Sequence, residues 1–516
     1  MKNTILTFAL SFMSLSAIAQ NPIVTHCYTA DPAPVVFSGN DSLYVYCDED
    51  MNVNGVHNFY YMERYRVYST VDMVNWTDHG NAMPRTAYKW AEEGSCWASQ
   101  CVKSEAKNKY YWYACLKKQG DWRHYISVGK SDKPSGPFTD AKNSYMFETG
   151  AGGDIDPTVF IDDDGTAYLY WGNNGLSYAT LSSSMVSATR RVAVELTKEA
   201  FGGVKKKDTN GNDYIDGVDC YEEGPWLDKR GDNYYLIYAA GGVPEHIAYS
   251  MSKSPKGPWV YKGVVMAQDN NTGSFTNHSG IVNYKGKDYF FYHTAWAPGG
   301  GGFNRSMAVE ELYFNEDGTI KPVKATTTGV APLCTLNPYI RQQAETINKA
   351  EGISVVGNES TGVYVTDIHK EDYIKVRNVD FGEEGAKSMT VRVATGMNKS
   401  VALAVRIGSK SAPPIGRITF SSTGGEEVWN EKSLEFTRKI TGVKDVFFTF
   451  AGTPTEGIST LFNFDWWKFN TEEETAVREV EMTDCEKDDA FYDLTGRKVS
   501  TPCNGIYIKG GKKIKL

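Results

Sequence analysis

A polar turn followed by a Tyr-rich strand recurs five times between residues 39 and 294. The copies are GNDSLYVYCD, KNKYYWYACL, DDGTAYLYWG, RGDNYYLIYA and KGKDYFFYHT. Their aligned tyrosines, Tyr44, Tyr111, Tyr168, Tyr235 and Tyr289, are 67, 57, 67 and 54 residues apart. Each interval suits one four-stranded sheet with its loops, so five copies predict a five-bladed β-propeller. A second recurrence has the same phase. STVDMVNW (69–76), SDKPSGPF (131–138) and SKSPKGPW (252–259) follow their Tyr-rich strands by about one further strand and read as outer hairpins. Helical periodicity of useful length is scarce, so the region is expected to be all-β.

The segment before each Tyr-rich strand should be the innermost strand of its blade. Asp31, Trp97, Asp156, Glu223 and His278 stand 13, 14, 12, 12 and 11 residues before the aligned tyrosines. Equivalent positions on different blades converge on the propeller axis, so these five side chains are expected to share one cavity. The three acids lie in TADPAPVVF, GDIDPTVFI and YEEGPWLDK, each before Pro or Gly-Pro. Such pairs also begin turns. Their common phase in three blades favours the shared cavity.

Carboxylates gathered in one cleft cannot all ionise with ease, because burial and mutual repulsion push their pKa values apart. One stays ionised as a base and another stays protonated as an acid, the pair that glycoside hydrolysis requires. An inverting site leaves about 6.5–9.5 Å between the two for a water. Blades one and four, carrying Asp31 and Glu223, could span such a gap.

Residues 22 to 330 resemble glycoside hydrolase family 43. The resemblance is carried by YTADPAPVVF, STVDMVNWTDHG, GDIDPTVFIDDDGTAYLYWG, YEEGPWL, YAAGGVPEHIAYS, SFTNHSGIV and GGGGFNRSMAVE. It implies an inverting hydrolase with Asp31 as general base and Glu223 as general acid. Glu222 is the alternative acid, although adjacent strand residues point to opposite faces. Asp156 would tune the acid and orient substrate, with Asp154 as its alternative. Arg305 would support the base and the bound sugar. His278 would help hold a channel Ca2+, largely through waters, and would otherwise be a hydrogen-bonded core histidine. Trp90, Trp97 and His246 are candidates for sugar contact, and Trp90 could equally be a core residue. No organic cofactor is implied. DTNGNDYIDGVD (208–219) has the oxygen spacing of a calcium loop but lacks its sixth-position Gly and twelfth-position Glu, so it is set aside.

Near residues 331–340 the Tyr repeat ends, giving a propeller over 20–335. Residues 338–470 read as short alternating strands of a β-sandwich (jelly roll). QQAET, EDYIKVRNVDFG, SMTVRVATG and LFNFDWWKF resemble a family 6 carbohydrate-binding module. That resemblance implies Glu345 as a structural Ca2+ ligand and Trp429 and Asn463 at sugar-contacting positions. Asp367 stands where an aromatic is common in such modules, so a sugar platform would lack one wall. The alternative is that the module packs on the propeller and shapes the cleft. An acidic linker (471–481) leads to a small β tail over 484–516, which resembles the C-terminal sorting domain of Bacteroidetes-type secretion.

The chain start reads as a signal peptide over 1–19, with Lys2, an apolar run from Ile5 to Leu15, and Ala17-Ile18-Ala19. Export to the periplasm, the cell surface or the medium of a Bacteroidetes-type bacterium is therefore expected. No later segment is apolar enough to cross a membrane. The net charge of −9 without a basic face argues against nucleic acid. Nine cysteines without a CxxC pair exclude a metal cluster, and buried free thiols are expected.

The leading expectation is an exo-acting α-L-arabinofuranosidase that removes arabinose branches from arabinoxylan or arabinan of plant cell walls. A β-D-xylosidase is the close alternative. A non-catalytic glycan-binding propeller is the alternative of a different class, and the presence of all three acidic motifs speaks against it.

Overall fold

The computed structural model describes residues 21–52, 59–147, 153–268, 272–454, 457–471 and 490–492, with three short strands beyond. Nearly every element is a β-strand. The expected signal peptide, most of the acidic linker, Cys485 and Cys503 lie outside the described residues.

Five antiparallel sheets follow one another along the first part of the chain. Blade one is Ala30–Val36, Leu43–Asp48, Arg64–Thr70 and Trp76–Pro84. Blade two is Trp97–Ser104, Lys109–Lys117, His124–Ser131 and Thr139–Asp140. Blade three is Thr158–Ile161, Ala167–Trp171, Ser177–Thr180 and Val192–Ala193. Blade four is Tyr221–Arg230, Asn233–Ala240, His246–Ser252 and Val260–Met266. Blade five is Ser279–Tyr284, Lys287–Thr294 and Ser306–Leu312. The first strand of each blade packs against the first strand of the next, and the fifth against the first, so the ring closes.

The five aligned tyrosines all lie on second strands and are all buried. A blade is covered by a neighbour on each side, so its middle strands have no solvent face. This is why the repeat reads as a run of aromatics rather than an alternation. Between blades one and two, Trp112 meets Tyr46 and Phe138 edge-on at ring distances of 4.7 and 5.0 Å. Offset and T-shaped contacts of this kind add to the area term.

Blade five has three strands where a four-stranded sheet was expected. Its outer edge is taken by the chain start. Ile23 N donates to Met307 O (3.0 Å), Val309 N donates to Asn21 Oδ1 (3.1 Å) and Thr29 N donates to Arg305 O (2.9 Å). The ring is thus latched by residues far apart in sequence, and the third strand of blade five is not left as an open edge.

The second body is a sandwich of two sheets. One contains Ser354–Asn358, Gly362–Thr366, Asn463–Asn470, Ala386–Thr395 and Gly425–Ile440. The other contains Lys349–Glu351, Tyr373–Asp380, Val443–Ala451, Val401–Ile407 and Gly416–Phe420. Val391, Val393, Phe448, Phe464, Trp467 and Phe469 fill the space between them. The sandwich is docked on the outer edge of blade one, where Thr346–Ile347 pairs as a further strand with Trp76–Pro84. Asn75 seals the joint: its Nδ2 donates to Arg377 O (2.9 Å) and its Oδ1 accepts from Arg377 N (2.9 Å). Gly80 is required there, because a Cβ would stand 2.3 Å from Gly357 O. Among the described residues, none of the module lines the central cavity.

The set-aside calcium-like loop is a hairpin, Gly203–Lys207 with Asp213–Gly217, inserted between blades three and four. Asp208 caps its turn by accepting from Asn210 N and Asn212 N. The seven described cysteines are free, and five of them are buried. Four tail strands, Phe491–Tyr492, Lys498–Val499, Ile506–Lys509 and Lys512–Lys515, form one small sheet.

Candidate active site

The acids enter the cavity on backbone bulges, and X-Pro pairs make the bulges. In blade one the ladder runs Ala30 opposite Asp48 and then jumps to Ala33 opposite Tyr46. Asp31 and Pro32 occupy the gap, and Asp31 has φ 49°. In blade four the ladder jumps from Glu223 opposite Ala239 to Trp226 opposite Ile237, leaving Gly224 (φ 59°) and Pro225 in the gap. In blade three, Asp156 has φ 59° and precedes Pro157, just before the strand begins. Proline cannot donate to the ladder, and an extra residue bends the strand and re-aims its side chain. Asp and Gly tolerate the left-handed backbone that results.

All five residues expected to converge do line one cavity: Asp31, Trp97, Asp156, Glu223 and His278. Arg305 lines it too, with Tyr60, Thr276, Asn277 and His293. Arg305 is buried and holds three aspartates. Its Nη1 donates to both oxygens of Asp31 (3.0 and 3.2 Å), its Nε and Nη2 to Asp50 (both 2.9 Å), and its Nη2 to Asp48 (3.4 Å). Its guanidinium lies 4.7 Å from the centre of the Tyr60 ring. His293 Nδ1 lies 3.1 Å from Asp31 Oδ1, and His278 Nδ1 lies 3.8 Å from it.

This environment separates the acids. Burial pushes the Asp31 carboxyl up, but Arg305, then His293 and His278, outweigh it and hold the group far below the usual carboxylate range. Asp156 goes the other way: burial, Glu223 and Asp31 push it well up, against the one hydrogen bond it accepts from Gly224 N (3.0 Å). Glu223 is also raised, by burial first and then by Asp31 and Glu222, although Asn173 and Glu245 hydrogen-bond it in the opposing sense. The cavity therefore presents one ionised carboxylate and two groups that favour the proton. Burial holds His278 down to about 4, so its imidazole is neutral near pH 7.

The alternatives separate by direction. Glu222 turns from the cavity and pairs with Lys205 of the inserted hairpin. Asp154 accepts from Trp171 Nε1 at 2.7 Å inside blade three. Trp97 lines the cavity and lies beside His124 at 4.0 Å. Trp90 does not line it. Its Nε1 donates to Asp140 on the outer strand of blade two, and its ring packs on Tyr88 and Tyr145. His246 also stands off the cavity, with Nε2 2.9 Å from Asp219 Oδ2.

Tyr60, Asp48, Asp50, His293, Asn173 and Glu245 were not singled out from sequence. Asp48 and His293 left a signal: each stands four residues after an aligned tyrosine, a polar group ending an otherwise apolar strand. The others sit in loops whose spacing varies between blades. In the second body, Glu345 is buried with Oε2 lacking a hydrogen-bond partner, and burial pushes its carboxyl well up. Asn463 is buried and committed: Oδ1 accepts from Thr366 (2.7 Å) and Nδ2 donates to Glu426 O (2.7 Å). Trp429 is half-buried, with the Arg392 guanidinium 5.1 Å from its ring and Tyr364 against its edge. Asp367 is exposed.

Glycosyl hydrolases family 43 matches residues 19–320, and the family 6 carbohydrate binding module matches residues 343–471. The chain belongs to glycosyl hydrolase family 43 and is an O-glycoside hydrolase. It is 33% identical over 495 residues to an arabinoxylan arabinofuranohydrolase of Bacillus subtilis (strain 168), spanning 87% of this chain and 92% of that one. A crystal structure of a family 43 arabinoxylan arabinofuranohydrolase from Bacillus subtilis, in complex with cellotetraose, superposes with a TM-score of 0.72 at 29% identity, covering 89% of this chain and 99% of that one. A family 43 β-xylosidase/α-arabinofuranosidase from a compost microbial metagenome, in complex with xylotriose and in a calcium-free form, has a TM-score of 0.50 at 30% identity. It covers 59% of this chain and 97% of its own.

Arg305→Met should destabilise this family 43 propeller by about 3–5 kcal/mol in urea unfolding at pH 7, because the buried Asp31 carboxylate loses its counter-charge. The loss should shrink as the pH falls, since protonation relieves the unpaired charge. A pH-independent loss would contradict the clamp.

Proposed function

We propose that this hydrolase is an exo-acting, inverting α-L-arabinofuranosidase that removes arabinose side chains from arabinoxylan or arabinan. The observation that carries the chemistry is one ionised carboxylate, Asp31, sharing one cavity with two acids that favour the proton. The sugar is supported by the Bacillus subtilis arabinoxylan arabinofuranohydrolase, whose likeness runs through both bodies.

In this reading the terminal sugar fills the cavity. Asp31 takes a proton from a water as its oxygen attacks the anomeric carbon. Glu223 gives its proton to the glycosidic oxygen as the carbon–oxygen bond breaks. Both carboxyl groups then exchange protons with solvent to reset. Arg305 keeps Asp31 ionised down to low pH, and Asp156 braces the Gly224 bulge beside the acid while its neutral form limits repulsion. The acidic limb of the pH–rate profile belongs to Asp31 and the basic limb to Glu223. The depressed group widens the profile downward and the raised group widens it upward.

Two calcium sites belong to the same proposal. Glu345 fits a structural Ca2+, since a buried carboxylate oxygen without a donor suits a hard cation. His278, neutral at the cavity, would contribute to a channel ion held mostly by water. When bound there, the ion would add positive field near the acids. Export is proposed from the N-terminal residues Lys2, Ile5 to Leu15 and Ala17-Ile18-Ala19. Among the described residues no helix is long and apolar enough to cross a membrane. β-D-Xylosidase activity is the second reading, favoured by the likeness to the metagenomic β-xylosidase/α-arabinofuranosidase over the propeller.

Asp31→Asn and Glu223→Gln should each lower turnover of arabinoxylan oligosaccharides by about 10³–10⁴-fold with the melting transition retained. Proton NMR of the first wild-type product should show inverted anomeric configuration. Retention would exclude the mechanism, and faster hydrolysis of the 4-nitrophenyl xyloside than of the arabinofuranoside would exchange the sugar. Calcium at a hundredfold excess over Kd should stabilise the wild type by about 3 kcal/mol. Glu345→Ala should lose the part due to the second body, and an unchanged response would remove that site. N-terminal sequencing of exported protein should begin at Gln20, and an intact Met1 would count against the signal peptide.

A further inference from the structure

Lys205, on the hairpin inserted between blades three and four, is joined to Glu223 through two asparagines. The neighbouring lysines pair within the hairpin, Lys206 with Asp216 and Lys207 with Asp213. Lys205 crosses to the blades. Its Nζ donates to Glu222 Oε1 and to Asn174 Oδ1, the latter at 2.6 Å. Asn174 Nδ2 donates to Asn173 Oδ1 at 2.6 Å. Asn173 Nδ2 donates to Glu223 Oε2. Four side chains thus stand in series, from a surface cation to the acid that lines the cavity.

The direction of this series is fixed at its outer end. An ammonium group only donates, so the Asn174 amide turns its oxygen to Lys205 and its nitrogen inward. Asn173 then accepts through its oxygen and donates through its nitrogen. The backbone holds both amides in place. Asn174 has φ 53°, a left-handed turn that asparagine tolerates, and its N donates to Glu222 O at 2.8 Å. Tyr221 Oη donates to Gly172 O at 2.6 Å, just before the pair. The turn after the second strand of blade three is therefore bonded to the two residues that precede Glu223. Hydrogen bonds in a chain polarise one another, so the ammonium charge strengthens the donor that faces the acid.

We propose that Lys205, Asn174 and Asn173 are positioning residues, a one-way hydrogen-bond chain that decides which oxygen of Glu223 carries the catalytic proton. The inference rests on the general-acid role given to Glu223 and deepens it. An amide N–H facing Oε2 favours that atom as the carbonyl oxygen, so the proton is held on Oε1. The same bond fixes the rotamer of Glu223, so Oε1 is the oxygen that serves the leaving group. In the reaction the Oε1–H bond breaks as the proton passes to the glycosidic oxygen, and the carbon–oxygen bond of the substrate breaks with it. The carboxylate left behind keeps the Asn173 donor on Oε2 and recovers its proton from solvent. No covalent bond in Asn173, Asn174 or Lys205 forms or breaks.

Asn174→Asp tests this with almost no change of shape. The carboxylate still accepts from Lys205 and tolerates the left-handed backbone, but it cannot donate to Asn173 Oδ1. The Asn173 amide should then turn its nitrogen outward and set its oxygen against Glu223, which moves the proton to the wrong oxygen. At pH 7, kcat on an arabinoxylo-oligosaccharide should fall about tenfold, roughly what one misplaced hydrogen bond costs. On 4-nitrophenyl arabinofuranoside kcat should fall by less than about threefold, since nitrophenolate leaves without protonation. The unfolding midpoint should be retained. Should that variant not fold, Lys205→Met on the exposed hairpin removes the anchor and should give the same order of losses, each smaller. No loss in the folded variant, or equal losses on both substrates, overturns the proposal. Glu223→Gln run in parallel separates the two readings: if it stays active on the oligosaccharide, the role of Glu223 itself fails.

Discussion

Arg305 is the interaction on which both architecture and chemistry depend. It stands just before the last strand of blade five, and its guanidinium reaches Asp31, Asp48 and Asp50 of blade one. The contact therefore ties the end of the ring to its beginning, beside the latch formed by residues 21–29. A buried cation is tolerated only with paired anions, and buried anions only with a cation, so neither half stands without the other. The same pairing keeps Asp31 ionised in a cavity whose other acids are pushed toward the proton. Ring closure and the division of labour among the carboxyl groups come from one cluster.

The bulges set the second constraint. An acid followed by Pro, or by Gly-Pro, cannot continue a regular ladder, so the backbone bulges at the mouth of each inner strand. Asp31 and Asp156 adopt a left-handed backbone at a modest cost of about 1–3 kcal/mol each, and the closed ring holds them there. This explains why motifs that are turn signals in isolation become channel signals when three blades share them. It also explains why Glu223 and Glu222, neighbours in sequence, serve opposite faces.

The second body follows a different logic. Its sandwich is joined to blade one by strand pairing and by the reciprocal Asn75–Arg377 hydrogen bonds. The position that matches a sugar-contacting Asn, Asn463, spends both ends of its amide inside the fold, and Trp429 is shared with Arg392 and Tyr364. The module is docked on the propeller through this joint, and Asp367 is exposed.

Most of the blade architecture was legible because propeller blades are local: strand, turn and strand follow in order, and the Tyr repeat reports the buried middle strand. The convergence of Asp31, Trp97, Asp156, Glu223 and His278 was legible for the same reason, since equal phase on successive blades means equal position at the axis. Trp90 and His246 stand off the cavity and turn to Asp140 and Asp219, because Trp90 lies in a loop that carries no phase and His246 opens the third strand of its blade rather than the first. The Asp48–Asp50 pair was invisible because its meaning depends on what lies across the cavity. The amino-acid sequence by itself determined the number of blades and which acids reach the axis. Only the tertiary structure decided which of those acids is ionised and which keeps a proton, because that choice depends on burial and on charges brought together from blades hundreds of residues apart.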